Sequence, residues 1–152
     1  MHPLDHSTKL LLVDDDPSMV RLLAKIIDRS FGSRMELYSL TDPTEARQWL
    51  EHNLVDILVT DLEMPGVDGL ELLCWARRKN PCAQVLFVTG HSTLNALTDA
   101  LELGATDYLL KPVDQAQLIT LVEDAEKRLR RWREALAGTV ADRHGLQAAV
   151  KP

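Results

Sequence analysis

The 152-residue sequence predicts an α/β protein, a doubly wound five-stranded parallel sheet followed by an extended C-terminal helix. Three observations predict it. Lys9–Val13 (KLLLV), Asp56–Thr60 (DILVT) and Gln84–Thr89 (QVLFVT) are short and apolar on both faces, the pattern of strands covered by helices from two sides. Amphipathic stretches at helical spacing alternate with them. Four of those stretches open on an aspartate in capping position.

The first strand, Lys9–Val13, runs straight into Asp14, Asp15 and Asp16. Asp16 followed by Pro17 fits a helix cap with proline at the first helical position, and Val20, Leu22, Leu23, Ile26 and Ile27 give that helix a broad apolar face. Arg34–Ser39 (RMELYS) is a weaker second strand. Asp42-Pro43-Thr44-Glu45 then combines a cap, a proline and a capping-box glutamate. The third strand is Asp56–Thr60, and Asp68-Gly69-Leu70-Glu71 repeats the capping-box spacing after it. Gln84–Thr89 is the fourth strand, with a helix beginning near Ser92. Asp107–Leu110 (DYLL) is the fifth, and Asp114 to Gln117 caps the last helix.

Composition narrows the class. Hydrophobic content of 45% with 26% charged residues excludes a globally disordered chain. A net charge of -6 argues against sequence-independent nucleic-acid binding by this region. Cys74 and Cys82 form neither a disulfide framework nor a zinc site, and read as reduced thiols. The N-terminus MHPLDHSTK lacks the features of a signal peptide, and no apolar run reaches the length of a membrane span. A cytoplasmic protein without membrane contact is the expectation.

In such sheets, ligands bind outside the carboxyl ends of the strands. Asp14 and Asp15 follow the first strand, Asp61 the third and Lys111 the fifth, while Thr89 closes the fourth. A parallel arrangement crowds all of them onto one edge. Three carboxylates there need a cation, because mutual repulsion raises their pKa values. A hard divalent ion such as Mg²⁺ resolves the conflict. A lysine and a hydroxyl beside it complete a cradle for a phosphoryl group, and an aspartate can serve as nucleophile to form an aspartyl phosphate. Asp16 belongs instead to the helix it caps. Met64, Trp49 and Trp75 read as packing residues.

The segments VDDDP, TDLEMPGVDG, VTGHS and DYLLKP, in this order and spacing, resemble the response-regulator receiver domain of bacterial two-component signalling. The resemblance runs from about Lys9 to the helix beginning at Asp114 and implies the flavodoxin-like strand order 2-1-3-4-5. It implies that Asp61 is the phosphoacceptor. Asp15 and Asp14 would ligate Mg²⁺ (or Mn²⁺ in its place), together with Asp61 and the backbone carbonyl of Glu63. Thr89 and Lys111 would bind the phosphoryl oxygens. Thr89 and Tyr108 would form the switch, and the Lys111–Pro112 peptide bond would be cis. Glu63 and His91 occupy positions that tune the lifetime of the phosphoryl group. The implied donor is a histidine kinase or phosphotransfer protein, and the implied output is a changed surface read by an output domain or protein. On this reading the domain is no enzyme beyond its own phosphorylation and dephosphorylation. Two rivals remain: a hydrolase of the haloacid-dehalogenase kind, which wants an aspartate where Glu63 stands, and a pseudo-receiver that binds partners without accepting phosphate.

Residues 7–126 are expected to form the receiver domain, and 127–152 an extension of its last helix with a tail. Leu118, Val122, Ala125, Leu129, Trp132 and Leu136 alternate at spacings of four and three, the seam of a coiled coil. Leu129, Trp132 and Leu136 are expected beyond the cover of a lone domain. Arg128 and Arg133 would flank the seam as like charges in a parallel pair. Homodimerisation through this helix, folding back onto the domain, and a lead towards an output module stand as alternatives. The five basic residues from Lys127 to Arg133 read as a solvated face, and Gly138 as the helix end.

Overall fold

The computed structural model describes residues 7–90 and 93–150, with 141–150 described as helix backbone only. Its strands are β1 (Thr8–Val13), β2 (Met35–Leu40), β3 (Ile57–Thr60), β4 (Gln84–Thr89) and β5 (Asp107–Leu110). Helices α1 (Pro17–Phe31), α2 (Pro43–His52), α3 (Gly69–Lys79), α4 (Leu94–Glu102) and α5 (Gln115–Val150) alternate with them. All four strand pairings are parallel, in the order β2-β1-β3-β4-β5. The predicted fold class and strand order are those observed.

Strand alternation divides the core in two. Leu10, Leu12, Ile57, Val59, Leu86 and Val88 face α1 and α5, where Leu23, Ile27, Leu118 and Val122 cover them. Leu11, Val13, Leu58, Val85 and Phe87 face the other way, onto Leu50, Leu72, Leu73 and Ala100 of α2, α3 and α4. Both faces of the central strands are therefore dry, which explains their unbroken apolar runs. Trp49 and Trp75 pack at the margin of the second cluster and Met64 within it. Trp49 lies 5.1 Å from the ring of Tyr38.

Four helix starts carry the predicted aspartate caps. Asp16 accepts the Ser18 amide, Asp42 the Thr44 amide and Asp68 the Glu71 amide, each at 2.9 Å. Asp114 accepts the Gln117 amide at 3.0 Å. Helix α4 is capped by Thr93, whose hydroxyl accepts the Ala96 amide at 3.1 Å. Its expected start at Ser92, like His91, lies outside the described residues. Strand β2 begins one residue later than expected because Arg34 closes a 3-10 turn, Gly32–Arg34, entered by Gly32 at φ 53.

The C-terminal helix departs from expectation in two respects. Leu129 is only 1% exposed, because α5 stays against the base of the sheet for another turn. Trp132 and Leu136, by contrast, are 55% and 52% exposed. Nor does Gly138 end the helix, which continues to Val150. Glycine within a helix costs about 1 kcal/mol relative to alanine, too little to stop one flanked by strong helix formers such as Ala135, Leu136 and Ala137.

Candidate functional site

Register places the site. Val13 pairs with Thr60, and Thr60 with Phe87, so β1 and β3 end side by side and release Asp14 and Asp61 at the same level. The Asp61 amide donates to the Val13 carbonyl at 3.1 Å, which fixes the two ends together. Strand β4 runs two residues further, to Thr89, which pairs with Leu110 of β5. The Lys111 amide then donates to the Thr89 carbonyl at 2.9 Å. Four chain segments thus deliver Asp14, Asp15, Asp61, Thr89 and Lys111 to one edge of the sheet.

Asp14, Asp15 and Asp61 each offer a carboxylate oxygen, and these oxygens all lie within 4.8 Å of one another. Asp14 is 1% exposed and Asp61 8%, whereas Asp15 is exposed. Lys111 reaches both buried carboxylates, its Nζ donating to Asp14 Oδ2 at 2.7 Å and to Asp61 Oδ2 at 2.9 Å. One ammonium therefore bridges the two buried carboxylates and offsets their repulsion. The other oxygen of Asp14 accepts the Asp16 amide at 2.9 Å, and Asp61 Oδ1 accepts the Glu63 amide at 3.4 Å. Glu63 itself is exposed.

The charges answer this packing. Burial pushes the Asp14 carboxyl above its ordinary range, against the bonds from Lys111 and the Asp16 amide that favour its ionised form. For Lys111, burial pulls the ammonium down. Its bonds to Asp14 and Asp61 outweigh that and raise it above an ordinary lysine. The all-oxygen donor set, two carboxylates buried and one open to solvent, suits a hard divalent cation such as Mg²⁺.

Thr89 is buried, and alternation along β4 sets it on the same face as Phe87, towards α3 and α4. Tyr108 pairs with Phe87 and packs against that same cluster, half-buried. The two residues thus share one face of the sheet beside α4. The Lys111–Pro112 peptide bond is cis.

Sequence similarity agrees with this geometry. The profile of the response regulator receiver domain matches residues 10–123. This chain belongs to the response-regulator receiver family. Among curated relatives, the phosphoglycerate transport system transcriptional regulatory protein PgtA of Salmonella typhimurium is 32% identical over 127 residues, 84% of this chain and 30% of that protein. The DNA-binding transcriptional regulator NtrC of Escherichia coli K12 is 35% identical over 114 residues, 75% of this chain and 24% of NtrC. This chain thus spans roughly a quarter to a third of the length of such relatives. Among solved structures, a receiver domain from Clostridium thermocellum matches with a TM-score of 0.72 at 28% identity, covering 82% of this chain and 98% of that one. Among the described residues, no helix of this receiver is long and apolar enough to cross a membrane.

Some structural residues of the site escaped sequence reasoning. The Thr60 hydroxyl donates to the Asp61 carbonyl at 2.9 Å, and Gly69 stands against that same carbonyl. At the opposite edge of the sheet, Asp56 holds Arg133, and Glu126 accepts from Arg34 and, at 3.5 Å, from the Thr8 hydroxyl. The pairings of Asp56 and Glu126 join distant segments and carry no local signal. Only the TDLEMPGVDG loop, rich in turn residues, marks Gly69 as structurally special.

Proposed function

We propose that this receiver domain accepts a phosphoryl group on Asp61, in a Mg²⁺-dependent transfer from the phosphohistidine of a histidine kinase or phosphotransfer protein. The observation that carries this reading is the convergence of Asp14, Asp15 and Asp61 with Lys111 bridging two of the three. A carboxylate oxygen of Asp61 attacks phosphorus. The new O–P bond forms as the P–N bond breaks, and the imidazole nitrogen keeps the electron pair. Lys111 and the Thr89 hydroxyl then hold the phosphoryl oxygens.

Asp14, Asp15, Asp61 and the Glu63 carbonyl would hold Mg²⁺, or Mn²⁺, which when bound screens the carboxylates and withdraws charge from the phosphoryl oxygens. Lys111 must exchange part of its double ion pair for the phosphoryl group. Drawing Thr89 towards the phosphate leaves space on the face it shares with Tyr108, and the tyrosine moves inward, biasing the β4–α4–β5 surface towards a second state.

The output is that surface, read by an output domain or protein. PgtA and NtrC are transcriptional regulators, and by this likeness the receiver controls transcription rather than turning over a substrate. Homodimerisation belongs to the same proposal. Trp132, Leu136 and Val140 lie at successive intervals of four residues on α5 beyond the sheet, each about half exposed, where a second helix would cover them.

Acetyl phosphate with Mg²⁺ tests the chemistry. One phosphoryl adduct on the intact protein, seen by mass and absent in Asp61→Asn, is the expected result. No adduct under conditions that label a control receiver would favour the pseudo-receiver. Release of many phosphates per molecule would favour the hydrolase.

A further inference from the structure

We propose that Gly69 is a positioning residue for the phosphoacceptor: the absence of a side chain there sets where the Asp61 carboxylate and the Glu63 carbonyl stand relative to each other. This inference rests on the function proposed above and extends it to a residue outside the charged constellation.

Gly69 is the first residue of α3, directly after the cap Asp68. Its φ is not in the left-handed region, so its conformation by itself admits alanine. Space does not. A Cβ built on Gly69 would stand 2.3 Å from the Asp61 carbonyl oxygen, 3.0 Å from Leu62 Cα and 2.8 Å from Phe87 Cε1. Two of these three neighbours are backbone, and neither can rotate away as a side-chain tip can.

The Asp61 carbonyl is also gripped from elsewhere. It accepts the Thr60 hydroxyl at 2.9 Å, while the Asp61 amide is tied to Val13 at 3.1 Å. On the next peptide, the Leu62 carbonyl accepts the Gly69 amide at 2.9 Å. Leu62 is the single residue between the acceptor and Glu63. Gly69 therefore fixes this short segment in two ways, by a hydrogen bond to one carbonyl and by close approach to the other.

A methyl group at this position must push the Asp61 carbonyl away from α3. The displacement falls on the 61–63 segment, because β3 is held in the sheet centre between β1 and β4. The Asp61 carboxylate and the Glu63 carbonyl then shift relative to Asp14 and Asp15, which sit on another strand end. Mg²⁺ tolerates little departure from octahedral geometry, so the cost appears first in metal affinity.

Three full-length variants test this: Gly69→Ala, Phe87→Leu and the double variant. The readouts are Mg²⁺ affinity by calorimetry, and the amide resonances of Asp61, Leu62 and Glu63 in metal-free protein. Gly69→Ala is expected to shift those resonances and weaken Mg²⁺ binding about 10–100-fold, the usual effect of disturbing groups that orient metal ligands. Phe87→Leu alone should leave affinity nearly unchanged. The double variant relieves the contact with the ring but not the one with the backbone, so its affinity should stay low.

Affinity within about twofold of the parent in Gly69→Ala would overturn the proposal, as would its recovery in the double variant. Loss of folding in both glycine variants would also overturn it, because the glycine would then serve the fold rather than the site. A parent protein that neither binds Mg²⁺ nor accepts phosphate would overturn the proposed function instead.

Discussion

The guanidinium of Arg133 is bonded to the carboxylate of Asp56, 77 residues earlier in the chain. Asp56 sits at the base of the sheet, 8% exposed, and ties three strands together. Its other carboxylate oxygen accepts the Lys9 amide at 2.8 Å, its own amide donates to the Lys9 carbonyl at 2.9 Å, and its carbonyl accepts the Gln84 amide at 2.8 Å. The expected division of the chain between residues 126 and 127 cuts between these partners. The extension thus closes the bottom of the receiver before it leaves it.

Removing Arg133 leaves a buried carboxylate short of one partner, so Arg133→Ala should lower stability by ~1–3 kcal/mol. Ending the chain after residue 126 also removes Leu129, whose loss should cost a further ~2–5 kcal/mol. Urea unfolding of these two variants, with a chain ended after residue 134 as reference, checks the order. Equal midpoints for all three would refute a structural role for this turn.

Asp15 and Asp16 are adjacent and should behave oppositely. Asp15 is exposed and belongs to the carboxylate cluster, so Asp15→Ala should abolish Mg²⁺-dependent labelling by acetyl phosphate while shifting stability by less than about 0.5 kcal/mol. Asp16 caps α1 through the Ser18 amide, so Asp16→Ala should cost about 1 kcal/mol of stability and spare the labelling. Mass spectrometry and thermal unfolding on the same samples separate the two effects.

Lys111 supplies the positive charge that Asp14 and Asp61 share. Lys111→Met should therefore destabilise the metal-free protein by several kcal/mol, of the order found when one partner of a buried ion pair is removed. Because the carboxylates lose their internal counter-charge, added Mg²⁺ should raise the melting temperature more in this variant than in the parent. An equal or smaller rise would show that the lysine does not stand in for the cation.

The apolar line of Trp132, Leu136 and Val140 predicts self-association through α5. Light scattering should give the molar mass of a dimer for the parent chain and of a monomer for the double variant Trp132→Glu, Leu136→Glu. A monomer in both cases would leave the helix as a lead towards an output module.

Much of the site was legible because its residues follow strands whose apolar runs are visible without a structure. Asp14, Asp61 and Lys111 each stand directly after such a run, and parallel pairing brings strand ends together. The helix caps at Asp16, Asp42, Asp68 and Asp114 are likewise local, formed by a side chain and an amide two or three residues on. The burial of Leu129 is not legible in the sequence, because periodicity along a helix says which face is apolar but not where the cover ends. The helix runs through Gly138 for a related reason: a helix stop needs a turn beyond it, and a lone glycine does not specify one.

Short-range chemistry was thus decided within the sequence: strand and helix identity, the caps, and the order in which acidic, hydroxyl and basic residues reach the sheet edge. Three things depended on the folded chain alone. Lys111 bridges Asp14 and Asp61, Arg133 closes onto Asp56, and Gly69 bears on the Asp61 carbonyl. Each is a contact between segments far apart in the chain or brought close by a loop, set by how strand ends, loops and helices pack against one another to within an ångström. Spacing along a sequence carries no measure of that distance. Only packing does.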